Sequence, residues 1–248
     1  MTDKVLYEEL TPREFKERLA HAPIAYIPLG TLEWHGEHLP LGSDGLQSKG
    51  FFEHLAKEVG GIVLPMIFLG PDRSEEKDGK PLYGMDICKQ PDEWKKYEDR
   101  QLPGSAYWAP EETYKTILDA VLVQLARAGF RVVVAHGHGP SNRFFRENSP
   151  EWKQKFGLEC IRCTLERDDP NKSLGIQTDH AGQNETSVVM ALRPELVQMG
   201  NLDSDTRKWP LAVSGQDPRT GSAEIGNKAI AAQVARMSGI LRSVLTTL

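Results

Sequence analysis

The run Ile24-Ala-Tyr-Ile-Pro-Leu-Gly30 decides the fold together with a later run, Phe130-Arg-Val-Val-Val-Ala135. Both are short and almost wholly apolar, as is typical of strands buried on both faces. After the first run, Ser43-Asp44 precedes a helical pattern with Leu46, Phe51, Phe52, Leu55 and Val59. Another helical pattern, from Pro110 to a stop at Gly129, precedes the second run. Strands that alternate with helices predict a layered α/β fold with a mostly parallel sheet and helices on both faces. In such sheets ligands bind at the carboxyl ends of the strands.

Further candidates extend this alternation. Ile62 to Phe68 is a second strand candidate, Gly157 to Leu165 is a later one, and Ser222 to Leu248 predicts a closing amphipathic helix. The later strand holds Cys160 and Cys163, and an offset of three on a strand points the two thiols to opposite faces. Buried or edge cysteines are therefore favoured over a metal or redox pair.

Residues 70–109 break the alternation. They hold four prolines, many charges and the aromatic residues Trp94, Tyr97, Tyr107 and Trp108. A long stretch without regular structure inside a compact domain is usually a lid, a binding loop or a subunit contact. The aromatic side chains could equally serve only to anchor it. We predict a single domain over residues 1–248, with an insertion or lid at about 70–109.

Composition excludes several classes of protein. Among 248 residues, 30 Lys and Arg stand against 35 Asp and Glu, a net charge of −5, so nucleic acid is not an expected partner. The apolar runs are far shorter than the ~20 residues of a membrane helix, so no membrane partner is expected. The start, Met1-Thr-Asp-Lys4, lacks the features of a secretion signal, which predicts a cytoplasmic location.

Three short segments carry residues that could bind metal. Glu33-Trp-His-Gly-Glu-His38 follows the first strand directly, and Glu33 and His35 would project to one side of an extended chain. Asp44 arrives after the next turn. His136-Gly-His138 ends another strand, and Asp179-His-Ala-Gly-Gln-Asn-Glu185 opens the helical run Thr186 to Leu192.

Each of these residues also has an ordinary structural explanation. Asp44 could be a helix N-cap, His35 or His38 a hydrogen-bonded loop histidine, and Glu185 a first-turn carboxylate. The conjunction favours a metal centre, because five of the seven histidines fall in the three segments: His35, His38, His136, His138 and His180.

The same segments resemble a known family. Gly30-Thr-Leu-Glu-Trp-His-Gly-Glu-His-Leu-Pro-Leu-Gly-Ser-Asp44 resembles the creatininase (creatinine amidohydrolase) signature of Glu, any residue, His, Gly, any residue, then His-Leu-Pro-Leu-Gly-Thr-Asp. His136-Gly-His-Gly-Pro-Ser-Asn142 is similar to the family's Asn-Gly-His-Gly-Gly-Asn. His180-Ala-Gly-Gln-Asn-Glu-Thr186 matches its His-Ala-Gly, two residues, Glu-Thr. The matches come in family order and span residues 24–192.

The resemblance implies a creatininase-like fold, a homo-oligomer and a binuclear metal centre. In this sequence Glu33 and His35 would each bind one metal, Asp44 would bridge both, and His138 and Glu185 would complete the two coordination spheres. His180 would be the catalytic acid/base or would orient the substrate. Trp34, His38, His136 and Ile176 would bind substrate or support the ligands.

The chemistry of this donor set agrees with the resemblance. Carboxylates and imidazoles without thiolate suit Zn²⁺ or Mn²⁺, with Fe²⁺ also possible. Two such ions ~3.5 to 4 Å apart can polarise an amide carbonyl and activate a water. The expected function is a metal-dependent amidohydrolase that cleaves a C–N bond of a small cyclic or linear amide.

Departures from the family pattern bear on the substrate. His136 replaces the family's Asn, and Pro140 replaces a Gly and so removes a backbone N–H. The resemblance places a Glu at Pro140 and a Trp at Ile176 in creatininase itself, so a substrate other than creatinine is expected. Two other functions stay open. Gly137 and Gly139 could cradle a phosphate in a metal-dependent phosphoesterase, or the scaffold could serve a non-catalytic ligand-binding protein.

Overall fold

A computed structural model describes residues 3–89, 101–163 and 175–248. The helices are α1 (Pro12–His21), α2 (Ser43–Val59), α3 (Glu111–Ala128), α4 (Gly139–Phe156), α5 (Gln183–Leu192) and α6 (Ala223–Leu245). The strands are β1 (Ile24–Leu29), β2 (Ile62–Val63), β3 (Ser74–Lys77), β4 (Lys80–Tyr83), β5 (Val132–Gly137) and β6 (Glu159–Arg162). No helix within these ranges is both long and apolar enough to cross a membrane.

The main sheet has the strand order β2-β1-β5-β6, and all its pairs are parallel. The two central strands run in register from Ile24 opposite Val132 to Leu29 opposite Gly137. This confirms the prediction of a mostly parallel sheet. Because β1 and β5 end side by side, the segments that follow them emerge at the same edge.

Side chains of β1 alternate between two hydrophobic cores. Ile24 and Tyr26 pack into the first core, with residues of α2, α5 and α6. Ala25, Ile27 and Leu29 pack into the second, with residues of α3 and α4. Helices therefore cover both faces of the sheet, as predicted, which explains why the strands are apolar throughout rather than alternating.

Cys160 of β6 and Cys163, the residue directly after that strand, also lie on opposite faces. Cys160 packs against the second core and Cys163 lies in the first, and both thiols are free. The expectation of separate, buried or edge cysteines is confirmed.

The predicted helix ends are confirmed at two places. Gly129 terminates α3 in the left-handed conformation, with φ of 103°. The Ser222 side chain accepts a hydrogen bond from the backbone N–H of Ile225, 3.3 Å away, and so caps α6. The strand predicted over Ile62 to Phe68 is wrong beyond Val63. Pro65 has no N–H to donate, and the chain rejoins β1 only at the isolated bridge between Ile67 and Leu29.

The prediction that residues 70–109 lack regular structure is wrong for their first part. Here β3 and β4 form an antiparallel hairpin whose two-residue turn is Asp78-Gly79, with φ of 51° and 72°. Asp-Gly is a strong signal for this turn, so the hairpin could have been predicted. Trp94 and Tyr97 lie outside the described residues. Tyr107 is 58% exposed, and Trp108 stacks on Tyr83 with ring centroids 6.2 Å apart.

Candidate metal centre

The residues predicted to bind metal converge at the carboxyl edge of the main sheet. Glu33 and His35 lie in the loop that follows β1, and Asp44 lies in the first turn of α2. His138 is the residue between β5 and α4, and Glu185 lies in the first turn of α5. All five are buried, with exposed fractions of 4% or less. Four different parts of the chain therefore supply one polar cluster.

One group in this cluster consists of His35, Asp44 and Glu185. The Nδ1 of His35 lies 3.1 Å from the carbonyl oxygen of Glu33, and this contact favours a proton on Nδ1. The His35 Nε2 lies 3.4 Å from Asp44 Oδ1 and 3.7 Å from Glu185 Oε2, and it has no hydrogen-bond partner among the described residues. Nε2 therefore faces two buried carboxylates, as the donor atom of a metal ligand would.

A second group consists of Glu33, Asp72 and His138. The Nδ1 of His138 lies 3.1 Å from Glu33 Oε1 and 3.0 Å from Asp44 Oδ2, and its Nε2 lies 3.0 Å from Asp72 Oδ2. Asp44 thus faces the first group through Oδ1 and the second through Oδ2. Asp44 is therefore a carboxylate that connects the two groups.

Burial and contact shift the pKa values of the cluster in opposite directions. Desolvation raises the pKa of Glu185 well above its usual value and also raises that of Glu33. Burial alone would lower the pKa of His35, but the neighbouring carboxylates, Asp44 first, outweigh it and raise that pKa to about 10. In the same way the carboxylates overcome burial and raise the pKa of His138, while the imidazoles overcome burial and hold the pKa of Asp44 well below its usual value.

The cluster therefore attracts positive charge, and the donors fit divalent cations. Four carboxylates, those of Glu33, Asp44, Asp72 and Glu185, lie close together in a buried place, where unpaired negative charge is costly. Oxygen and imidazole donors without thiolate match Zn²⁺ and Mn²⁺. Divalent cations would neutralise the negative charge of the carboxylates, which otherwise favours protonation of the imidazoles.

His180 lies beside this cluster, stacked on His35 with ring centroids 4.4 Å apart. Its Nε2 lies 3.0 Å from the carbonyl oxygen of Trp34, which favours a proton on Nε2 and leaves Nδ1 as a free base. Burial lowers the pKa of His180 to about 3. His180 also forms a third possible metal-binding group with Glu33 and His35, so its position fits either a base or a ligand.

The segment Asp179 to Glu185 positions two of these groups. The Asp179 carboxylate accepts hydrogen bonds from the backbone N–H groups of Asn184 and Glu185, at 2.8 and 3.1 Å, and so starts α5. Ala181, at φ of 53°, donates its backbone N–H to Glu185 Oε2 at 2.8 Å. His180 and Glu185 consequently face the same space from the two sides of one tight turn.

The four residues predicted to bind substrate or support the ligands lie behind the cluster. The Nε2 of His38 lies 2.9 Å from the hydroxyl of Thr186, and the Nδ1 of His136 lies 2.9 Å from the hydroxyl of Ser48. Trp34 is 8% exposed and packs in a small apolar cluster. Ile176 packs into the first core. Among the described residues, these four are not part of the lining of the cavity over the cluster.

Sequence reasoning missed two residues of the site. Asp72 follows the chain segment beside β1, so an acid at a strand end, the signal that indicated Glu33, was available for it too. Gln177 has φ of 54°, and its Nε2 donates to the backbone oxygen and to Oδ1 of Asp44, both at 2.9 Å. No sequence pattern indicated this contact, because it depends on how residues distant in the chain meet.

A cavity of about 760 Å³ opens above the cluster. Its floor includes Glu33, Asp44, Asp72, His138 and Glu185. Its volume lies within the ~300 to 1,000 Å³ range of small-molecule sites. Four arginines also line it: Arg73, Arg143, Arg146 and Arg162.

Comparisons with known proteins agree with this arrangement. The model of the creatininase (creatinine amidohydrolase) family matches residues 8–241. A creatinine amidohydrolase from Pseudomonas putida is 25% identical over 217 residues, which are 80% of this chain and 76% of that protein.

Solved structures share the fold. A mutant creatininase of Zn-Zn type has a TM-score of 0.71 at 20% identity, covering 97% of this chain and 98% of its own. A manganese creatininase has a TM-score of 0.69 at 22% identity, with the same coverage. With the family model matching nearly the whole chain, and the family's three motifs meeting in one buried cluster, the chain belongs to the creatininase family of metal-dependent hydrolases.

Proposed function

We propose that this protein hydrolyses the C–N bond of a small cyclic or linear amide with the help of two divalent cations. The observation that carries the proposal is the position of Asp44, whose two carboxylate oxygens face two separate groups of buried metal-binding side chains. A bridging carboxylate between two such groups is the arrangement expected of a two-metal hydrolase.

His35 and Glu185 would hold one cation, and Glu33 and His138 the other, with Asp44 shared. Asp72, whose Oδ2 lies 3.0 Å from the other ring nitrogen of His138, Nε2, would accept the proton of that nitrogen in a hydrogen bond and hold the ring in position. Zinc and manganese are the proposed metals, because the donors suit both and similar structures are described as zinc and manganese forms. When bound, two such ions polarise an amide carbonyl and acidify a water.

His180 would move the proton. With Nε2 held by the carbonyl of Trp34, the neutral ring offers Nδ1 to take a proton near the metal cluster and to return it to the leaving nitrogen. Burial of the cavity floor would keep bulk water away from the bound amide and strengthen the electrostatic interactions there. The described part of residues 70–109 would act as a lid, since its residues Asp72 and Gly84 line the cavity.

The test is a panel of amides given to protein reconstituted with Zn²⁺ or Mn²⁺, namely creatinine, several lactams and several formamides, with p-nitrophenyl phosphate as the rival substrate. Hydrolysis of at least one amide, lost on chelation and restored by metal, is expected. Cleavage of the phosphate ester without cleavage of any amide would favour a phosphoesterase instead. Metal binding without either reaction would favour a ligand-binding protein.

A further inference from the structure

The cavity over the metal cluster has a strongly basic rim. Arg143 and Arg146 lie three residues apart on α4, so their side chains share one face of that helix. Arg73 enters from the segment before β3, where its Nε lies 3.3 Å from the carbonyl oxygen of Gly84. Arg162 is the last residue of β6. Three separate parts of the fold thus contribute arginines to the lining of one cavity.

Within the described residues, the ion pairs of Arg143 and Arg146 are weak ones at the surface. Arg143 lies 3.8 Å from Glu111, and both side chains are more than half exposed. Arg146 lies 3.2 Å from its neighbour Glu147, and both are about half exposed. Exposed ion pairs of this kind contribute ~0 to 1 kcal/mol to stability. An anionic ligand that binds the guanidinium groups more strongly can therefore replace the glutamates.

The described acids of the cavity do not balance the rim either. The carboxylates of Glu33, Asp44, Asp72 and Glu185 carry a charge that two divalent cations would neutralise. The Asp179 carboxylate is already used by the backbone N–H groups at the start of α5. With two divalent cations bound, the described residues of the cavity would present Arg73, Arg143 and Arg146 against one remaining carboxylate, that of Asp179.

We infer that the amide substrate carries an anionic group, a carboxylate or a phosphate, which the arginines of the rim bind while the amide lies over the metal cluster. This inference rests on the proposed amide hydrolysis. Guanidinium forks bind the oxygens of carboxylates and phosphates in pairs, and so fix orientation as well as position. An uncharged amide of the same shape would leave the fork unused.

The test compares matched amides. N-formyl-β-alanine and N-formyl-O-phosphoethanolamine carry the two kinds of anion, and N-formyl-β-alaninamide and N-formylethanolamine are their uncharged counterparts. Both binding, by calorimetry, and hydrolysis are measured on metal-loaded protein. The variants are the double substitution Arg143→Gln with Arg146→Gln, and Arg127→Gln as a control on the exposed end of α3, away from the cavity. Metal content is checked in each.

The anionic members should bind at least about tenfold more tightly than their counterparts, since a hydrogen bond between charged groups contributes ~1.5 to 3 kcal/mol. The double variant should lose most of this preference and the control none. Whichever anion shows the larger preference identifies the group. Equal binding of charged and uncharged amides, or a preference that survives the double substitution, would overturn the inference.

The two proposals fail in different ways. If the anionic amides bind in an arginine-dependent way but no amide is hydrolysed, the anion site is supported and the proposed amide hydrolysis is contradicted. If all four amides are hydrolysed equally well whatever their charge, amide hydrolysis is supported and the anion site is contradicted. Salt provides a further readout, because added salt should weaken the binding of the anionic amides far more than that of the uncharged ones.

Discussion

The two carboxylate oxygens of Asp44 face the two groups of metal-binding side chains at the same time. We expect Asp44→Asn to reduce bound metal well below about two ions per chain while the fold persists, since an amide lacks the charge to bind two cations. Metal analysis of the purified variant measures this, with circular dichroism to check the fold. Asp78→Asn is the control, because Asn tolerates the left-handed turn conformation as well as Asp does. Unchanged metal content would remove Asp44 from the ligands.

Substitution of His180 distinguishes a role in proton transfer from a role in metal binding. We expect His180→Ala to keep nearly all its metal and to lose ~10² to 10⁴-fold in kcat, the usual contribution of a positioned acid or base. The comparison is metal content and kcat in the same preparation, with the exposed His54→Ala as control. If metal is lost in proportion to activity, His180 is instead a ligand, as its closeness to Glu33 and His35 would allow.

Individual residues were predicted unevenly. The three segments that hold the candidate ligands could be expected to meet because each stands at the end of a strand or the start of a helix, where parallel topology brings them together. The family resemblance then selected Glu33, His35, Asp44, His138 and Glu185 among their residues. The environment of Ile176 could not be foreseen. Alignment with a family position gave no information on whether the side chain faces the cavity or the core, and the neighbouring Gln177 faces Asp44 instead.

At the scale of elements, the junction of β1 with β5 determines where His138 lies. Gly137 has φ of 146°, and a Cβ there would overlap the carbonyl oxygen of Leu29, which also accepts the backbone N–H of His138 at 2.9 Å. We expect Gly137→Ala to lower the free energy of unfolding by at least ~2 kcal/mol through backbone strain and steric overlap. Urea unfolding measures this. A Cβ on Gly139 would meet nothing within 4 Å, so Gly139→Ala should unfold like the natural protein. Equal stability of the two variants would contradict this view of the junction.

Elements whose signals are local were predicted well, and those that depend on pairing were not. Ser222 and Gly129 each act on the helix beside them, so the start of α6 and the end of α3 followed from the sequence, whereas α6 ends at Leu245 and not at the predicted Leu248. β2 is short because Pro65 interrupts its pairing with β1. The apolar composition of the run does not show where that pairing ends. The Asp78-Gly79 dipeptide indicates the hairpin, although charged residues surround it.

At the scale of the whole molecule, the fold is that of creatininases, while the cavity differs from what the resemblance implies for creatininase itself. Pro140 lines the cavity where a carboxylate would be expected, and Ile176 lies in the core. A site that lacks a polar partner for its substrate can lose ~10⁴-fold or more in specificity. We therefore expect kcat/KM for creatinine to fall below ~10⁴ M⁻¹s⁻¹, under the usual range for a physiological substrate. A steady-state assay with Mn²⁺ or Zn²⁺ measures it, and a higher value would make creatinine the substrate.

The central claim is that two bound cations and this cluster together hydrolyse an amide. Its most direct test is to add Mn²⁺ in known ratio to metal-free protein and to follow hydrolysis of the most rapidly cleaved amide of the panel. The account predicts no hydrolysis without metal and a rise to a plateau at about two ions per chain. Full activity without metal, or a plateau at a single ion per chain, would contradict it.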